Sequence, residues 1–230
     1  MGSKYKITFV IKLKTFIRKI KYILVFPYVW LSNYILCKRY PFYRYRNEFT
    51  DKPLGYRYTF YGDIPYGWRK AFGKQFSKEL KSALIKDGYL KTFRFIEIKE
   101  KYGELRLYST DYGPESSKVL EKYENISIGF CIRCGKPARY CTQGWIEYLC
   151  EDCFDSCYRD KNSNLKNKEL NEEEYQSYKN QSRLTEKDIP TITRYEKDPD
   201  NPGECVSRIV DLKKEYNIDL KQLWGIQDKS

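Results

Sequence analysis

The chain contains no histidine among its 230 residues. That absence excludes Ser-His-Asp triads, HNH-type nucleases, HExxH proteases and metal hydrolases that bind their ion through imidazole. Gly-rich phosphate loops, dinucleotide fingerprints and paired-carboxylate spacings are also missing, so no nucleotide or acid–base chemistry is written in motif form. No internal repeat is evident. The longest uncharged apolar stretch, residues 22–37, covers sixteen positions. As a helix it would reach about 24 Å, short of the ~30 Å hydrocarbon core of a bilayer. No small-x-small cleavage site follows it, which argues against a removed signal peptide. The Met-Gly start lacks the Ser or Thr that favours myristoylation.

Acidic residues are missing from one region in particular. Residues 1–50 hold eleven Lys or Arg and a single acid, Glu48, for a net charge of +10. The whole chain carries +12, which leaves +2 for the other 180 residues. The basic character therefore belongs to an N-terminal arm, and acidic partners should be sought there. Three readings of the arm stand together. It can dock as a helix through Phe26, Trp30 and Tyr34. It can lie at a membrane surface, with aromatics at headgroup depth and cations on anionic phosphates. It can also bind DNA or RNA, with Lys38, Arg39, Arg44 and Arg46 on phosphates and Tyr43 and Tyr45 stacking on bases.

What the chain does have is eight cysteines, four of them in a pattern. Cys131-Ile-Arg-Cys134 and Cys150-Glu-Asp-Cys153 are two CxxC pairs separated by fifteen residues. Each CxxC turn presents two thiolates from one tight knuckle, and two knuckles complete a tetrahedral Zn²⁺ shell. The competing reading is four buried or disulfide-bonded cysteines, and disulfides would require an oxidising compartment. Gly135 after the first pair allows a positive φ. Arg133, Lys136 and Arg139 offer positive charge to a four-thiolate centre. Ala138 to Thr142 and Trp145 to Leu149 read as strands around a Gln143-Gly144 turn, and a helix is expected near Phe154. Knuckle, hairpin, knuckle and helix make a treble-clef or zinc-ribbon module. Four cysteines close the shell, which suits one structural Zn²⁺ and no catalytic residue. Cys141 and Cys157 can each substitute as a ligand, but buried thiols are the simpler reading. Cys37 and Cys205 read as packing residues.

The fold class expected is α+β: a small helix-plus-hairpin body, the four-cysteine module and a basic N-terminal helical arm. Tyr56 to Tyr61 alternates as a strand does. Trp68, Phe72, Phe76, Leu80 and Leu84 recur every four residues and form one stripe of a helix over 67–86, closed by Asp87-Gly88. Thr92 to Lys99 and Glu104 to Ser109 read as a hairpin turning at Tyr102-Gly103, and Glu115 to Tyr123 as a helix. Residues 160–190 are polar, with a surface helix expected. Asp198 to Gly203 is turn-rich. Glu204 to Tyr216 and Asp219 to Trp224 read as two short helices. The expected divisions are an arm (1–52), a body (53–126), the cysteine module (127–160), and a polar linker with C-terminal helices (161–230).

Several phrases occur together: Asp63-Ile-Pro-Tyr-Gly-Trp-Arg-Lys-Ala-Phe-Gly73, Ile98-Lys-Glu-Lys-Tyr-Gly-Glu-Leu-Arg-Leu-Tyr108, Cys131-x-x-Cys-Gly-Lys-Pro137 and Gly144-Trp145. On these the chain resembles a group of short, uncharacterised zinc-ribbon proteins of bacteriophages and prophages. The resemblance covers about residues 55–155 and brings no activity with it. It implies a protein in the cytoplasm of a bacterial host, with peripheral membrane association left open. Its expected role is to bind a host or phage protein, for example by inhibiting a defence system. Nucleic-acid binding through the arm is the alternative, and membrane-surface association the second alternative. No small-molecule substrate is evident.

Overall fold

The computed structural model describes residues 26–47, 49–159, 172–197 and 205–226. The chain divides into two compact units, Met1–Phe60 and Tyr61–Ser230.

In the first unit, residues 26–39 form a helix, α1. A 3-10 turn, Pro41–Tyr43, follows. The chain then folds back through two single bridges, Arg44 with Thr59 and Arg46 with Pro53. Its interior is aromatic: Tyr40, Phe42 and Tyr43 pack at ring separations of 4.7–6.2 Å. Trp30 and Tyr34 stack on each other and both meet Tyr56 edge-on. The strand expected over Tyr56 to Tyr61 does not form. Thr59 makes only its single bridge, and Phe60–Asp63 turns into a short helix, α2. An alternating pattern needs a neighbouring strand to pair with along its length, and none is supplied here.

The second unit is α+β. Helix α3, Tyr66–Trp68, runs through a π turn, Arg69–Gly73, into α4, Lys74–Lys86. The expected stripe is all inside: Trp68, Phe72, Phe76, Leu80 and Leu84 are buried. Gly88, with φ of +82°, ends the helix in the left-handed region that glycine tolerates. Strands β1, Phe95–Lys101, and β2, Glu104–Ser109, form an antiparallel hairpin. Both turn residues, Tyr102 and Gly103, have positive φ, the signature of a two-residue primed turn. A register shift between Phe95 and Glu97 lets Phe95 and Ile98 face the core while Ile96 is turned out to solvent.

Helix α5, Pro114–Ile126, closes the core, with Tyr123 set against Phe72 and Phe76. Its free N-terminal amides are capped from a distance. Asp87 accepts from the backbone N–H of Ser116 at 2.7 Å and of Glu115 at 3.2 Å, and from the Ser116 hydroxyl at 2.6 Å.

A second hairpin pairs β3, Tyr140–Cys141, with β4, Tyr148–Leu149, and leads into helix α6, Glu151–Arg159. Helix α7, Glu172–Gln181, is fastened to α6 by Lys179, which reaches Glu151 at 2.9 Å and Asp155 at 2.8 Å. Strands β5, Ile192–Lys197, and β6, Cys205–Val210, form a third hairpin, before helices α8, Leu212–Tyr216, and α9, Leu220–Trp224. The helix expected from Glu204 is therefore a strand as far as Val210. Its β-branched residues Val206, Ile209 and Val210 find a partner in β5. Helix begins only where Asp211 accepts from the N–H groups of Lys213 and Lys214. The turn-rich Asp198 to Gly203 lies outside the described residues, as does the 160–171 part of the polar linker.

Candidate metal centre

The second unit brings the four patterned cysteines to one point. The sulfurs of Cys131, Cys134, Cys150 and Cys153 all lie within 4.8 Å of one another, and those of Cys134 and Cys150 are 3.4 Å apart. A tetrahedral ion with 2.3 Å Zn–S bonds needs sulfurs about 3.8 Å apart. The cluster is therefore the right size to take a metal ion with only small shifts. Cys131 and Cys150 are buried, while Cys134 and Cys153 are half-buried. Cys141 and Cys157 are not part of the group. Cys157 packs instead with Tyr140, Leu149 and Phe154 in the apolar layer beside it.

Each knuckle is built by its own backbone. The Gly135 N–H bonds to the Cys131 carbonyl at 2.9 Å, and the Cys131 N–H to the Lys136 carbonyl at 2.7 Å. Gly135 has φ of +81°, as this turn requires. The N–H of Lys136 points to the Cys134 sulfur, and that of Cys153 to the Cys150 sulfur. Such amide–sulfur bonds orient thiolate ligands and stabilise their negative charge. The first knuckle joins the hairpin through the Ile132 N–H, which meets the Tyr148 carbonyl at 3.0 Å.

The thiols do not titrate alike. Burial raises Cys150 to about 11, and it raises Cys153 as well. For Cys134 burial also acts upward, but the Lys136 N–H and the neighbouring thiols outweigh it and leave the group below its ordinary value. A divalent cation entering this group must displace the protons that burial retains.

The expected cations are near but engaged. Arg133 donates to Glu147 at 2.8 Å, and Lys136 to Asp152 at 2.6 Å. Arg139 has turned away to the Leu223 carbonyl at 2.5 Å. It helps hold the C-terminal segment, where the buried Trp224 donates to the Ile128 carbonyl at 3.3 Å. A further stretch of chain runs along β3, with the Cys141 N–H on the Ser182 carbonyl and the Leu184 N–H on the Arg139 carbonyl.

Two contacts invisible in the spacing pattern fix the module on the body. Gly67 lies so close to the first knuckle that its N–H bonds to the Ile132 carbonyl at 2.8 Å. The Trp68 indole N–H reaches the Phe130 carbonyl at 3.1 Å. On the other side Gly103, at the tip of the first hairpin, sits against Ile146 and Tyr148; a Cβ there would come within 2.9 Å of both. The two hairpins thus abut. They leave Tyr102 and Trp145 72% and 68% exposed. Neither aromatic was marked out by sequence reasoning as a contact residue. The one available signal was that each sits at a glycine turn.

The residues proposed for nucleic acid lie in the first unit, and most are engaged. Tyr43 has no exposed surface and packs on Tyr40 and Phe42, so its ring is removed from the stacking set in this conformation. Tyr45 lies 4.3 Å from the Phe60 ring. Arg46 makes a bidentate bridge to Asp51 at 2.5 and 2.9 Å. Arg44 lies over Tyr56 and donates to the Leu54 carbonyl. Lys38 lies over Tyr34, and Arg39 over Tyr40. The six are drawn to one end of α1 and the loop after it, but do not form a single open row.

No protein-family profile matches the chain, and no curated protein or solved structure is significantly similar to it. Function must therefore be read from its own residues.

Proposed function

We propose that this is a zinc-stabilised binding protein whose partner is another protein. The observation that carries the reading is the pair of abutting hairpins, which hold Tyr102 and Trp145 exposed on a rigid base. Large aromatics on a fixed backbone are the residues that most often anchor a protein interface. The cysteine group takes one Zn²⁺ as a treble-clef-like ribbon. With all four ligands supplied by thiolates, the ion serves to hold β3, β4 and the first hairpin in register.

Charge around the anchors favours a protein over a nucleic acid. On the outward face of β1 and β2, Glu97, Lys99 and Lys101 lie across from Tyr108, Arg106 and Glu104, so both signs are interspersed. Lys99 lies over Tyr108 and Lys101 over Tyr102. A mixed-sign face can match a protein surface but gains little net attraction from a phosphate backbone. The phage resemblance adds a direction, namely that the partner is a host protein, such as a component of a defence system. The test is a nuclease-treated pulldown from bacterial host extract, comparing the natural chain with Trp145→Ala and Tyr102→Ala. A single partner retained by the natural chain and lost with either variant supports the reading. Equal capture by all three removes the hairpin surface from the account.

The net charge of +10 in residues 1–50 keeps a second reading alive, nucleic-acid binding through the arm. It requires binding to DNA or RNA that weakens steeply between about 50 and 200 mM salt. An absence of any shift at low salt rejects it.

A further inference from the structure

We infer that α1 is a membrane-surface helix that inserts into an anionic lipid bilayer. The inference uses residues of the first unit only and stands apart from the hairpin surface. Positions 26–32 are exposed without interruption. Trp30, stacked on Tyr34 and set edge-on to Tyr56, turns one side of this half toward the rest of the unit, while the opposite side, at 100° per residue, carries Tyr28, Leu31 and Ile35 and is open. That open side is apolar: Tyr28 is 73% exposed, Leu31 51% and, one turn on, Ile35 57%, while the packed Trp30 keeps 40% of its surface exposed. The other half is seated, with Cys37 buried and the Asn33 side chain donating to the Tyr56 carbonyl at 2.9 Å. The helix is therefore seated along one side and presents an uncharged, apolar stripe on the other.

The charge around this stripe selects its occupant. A protein groove, or a second copy of the chain, can cover one such stripe, so the apolar residues alone do not decide and the flanking charge does. A nucleic acid offers nothing to Leu31 and Ile35. A lipid interface accepts the apolar stripe and leaves the flanking cations at the headgroups. Charge agrees with this. In sequence the uncharged run is bracketed by Lys19 and Lys21 before it and Lys38 and Arg39 after it, within fifty residues that carry one acid. Cations on both flanks with Trp and Tyr between them are the pattern of a segment held at headgroup level on anionic lipid. No helix among the described residues is long and apolar enough to cross a membrane. Shallow insertion fits that length.

Vesicle flotation of the full chain tests the inference, using phosphatidylcholine vesicles with and without phosphatidylglycerol. Leu31→Glu and Ile35→Glu serve as variants, because both side chains are exposed and the fold does not need them. The expected result is flotation with the anionic vesicles and a blue shift of Trp fluorescence. Each variant should weaken partition by about tenfold or more, since burial of an apolar side chain is lost. Failure of the natural chain to float overturns the inference. Flotation abolished by about 0.5 M salt, where charges are screened, and indifferent to both variants, also overturns it, because that is adsorption without insertion. So does a dimer that Leu31→Glu dissociates and that ignores vesicles.

Discussion

Gly67 stands so close to the first cysteine knuckle that a Cβ built on it would lie 2.1 Å from the carbonyl oxygen of Cys131 and 2.5 Å from that of Ile132. The contact is mutual, because a Cβ on Gly135 would lie 2.5 Å from the Gly67 carbonyl oxygen. Two glycines let helix α3 and the knuckle touch backbone to backbone. Gly67→Ala must push these elements apart, since the obstacle is main chain and cannot rotate away. The expected cost is on the order of 3 kcal/mol. Chelator sensitivity should rise at the same time, because Cys131 is a ligand of the proposed ion. Thermal unfolding with and without chelator checks both effects.

Asp87 links the end of α4 to the start of α5, and its titration gives a pH signature. Burial acts to raise its pKa, but the Ser116 hydroxyl, the Ser116 N–H and the Glu115 N–H together outweigh burial and hold the carboxyl below its ordinary value. A carboxylate lowered on folding adds stability above its unfolded pKa and loses it as pH falls through the folded one. Asp87→Ala should therefore cost about 1 kcal/mol at neutral pH, as the loss of a helix cap does. The difference from the natural chain should shrink as pH falls below the ordinary carboxylate range and through the lowered folded pKa, where the carboxyl becomes protonated in both states. Denaturant titrations at neutral and acid pH measure it. Asp87 is half-buried and still reached by solvent, so the effect stays at the scale of a cap.

Trp145 and Tyr102 separate recognition from folding. Each is mostly exposed, so replacement by Ala should change stability by less than about 0.5 kcal/mol. Partner affinity should fall by about tenfold or more for at least one of them, as for an interface anchor. Parallel melting curves and binding isotherms with the captured partner show whether the two properties come apart.

Trp224 tests whether the C-terminal segment belongs to the same cooperative unit as the cysteine module. It is 2% exposed, bonded to Ile128, and packed with Ala138, Leu184, Val210 and Leu220. Trp224→Ala should cost about 3–5 kcal/mol. The loss should appear in one transition, together with release of the module. Two separate transitions would show that the segment folds independently.

Local signals were readable in the sequence, and distant ones were not. The knuckles, the Gly135 turn, the Trp68-to-Leu84 stripe and the Tyr102-Gly103 turn each depend on residues a few positions apart, where spacing and φ preference decide the outcome. The contacts of Gly67 with Cys131, Gly103 with Tyr148 and Asp87 with Ser116 join residues 29 or more positions apart. No period or motif encodes such approaches. Strand β6 was missed for a related reason. Its residues also suit one face of a helix, and only pairing with β5 decides between the two. Tyr43 read as an available stacking ring because burial of an aromatic in a basic segment cannot be seen from the segment alone.

One zinc ion, held by Cys131, Cys134, Cys150 and Cys153, is proposed to fix the surface that carries Tyr102 and Trp145. The most direct test is thermal unfolding of the purified chain before and after chelation, with zinc measured in the same samples. One zinc per chain is expected, with a cooperative transition in the second unit that is lost on chelation and regained with Zn²⁺. A metal-free chain that melts at the same temperature, with the same cooperativity, would contradict it.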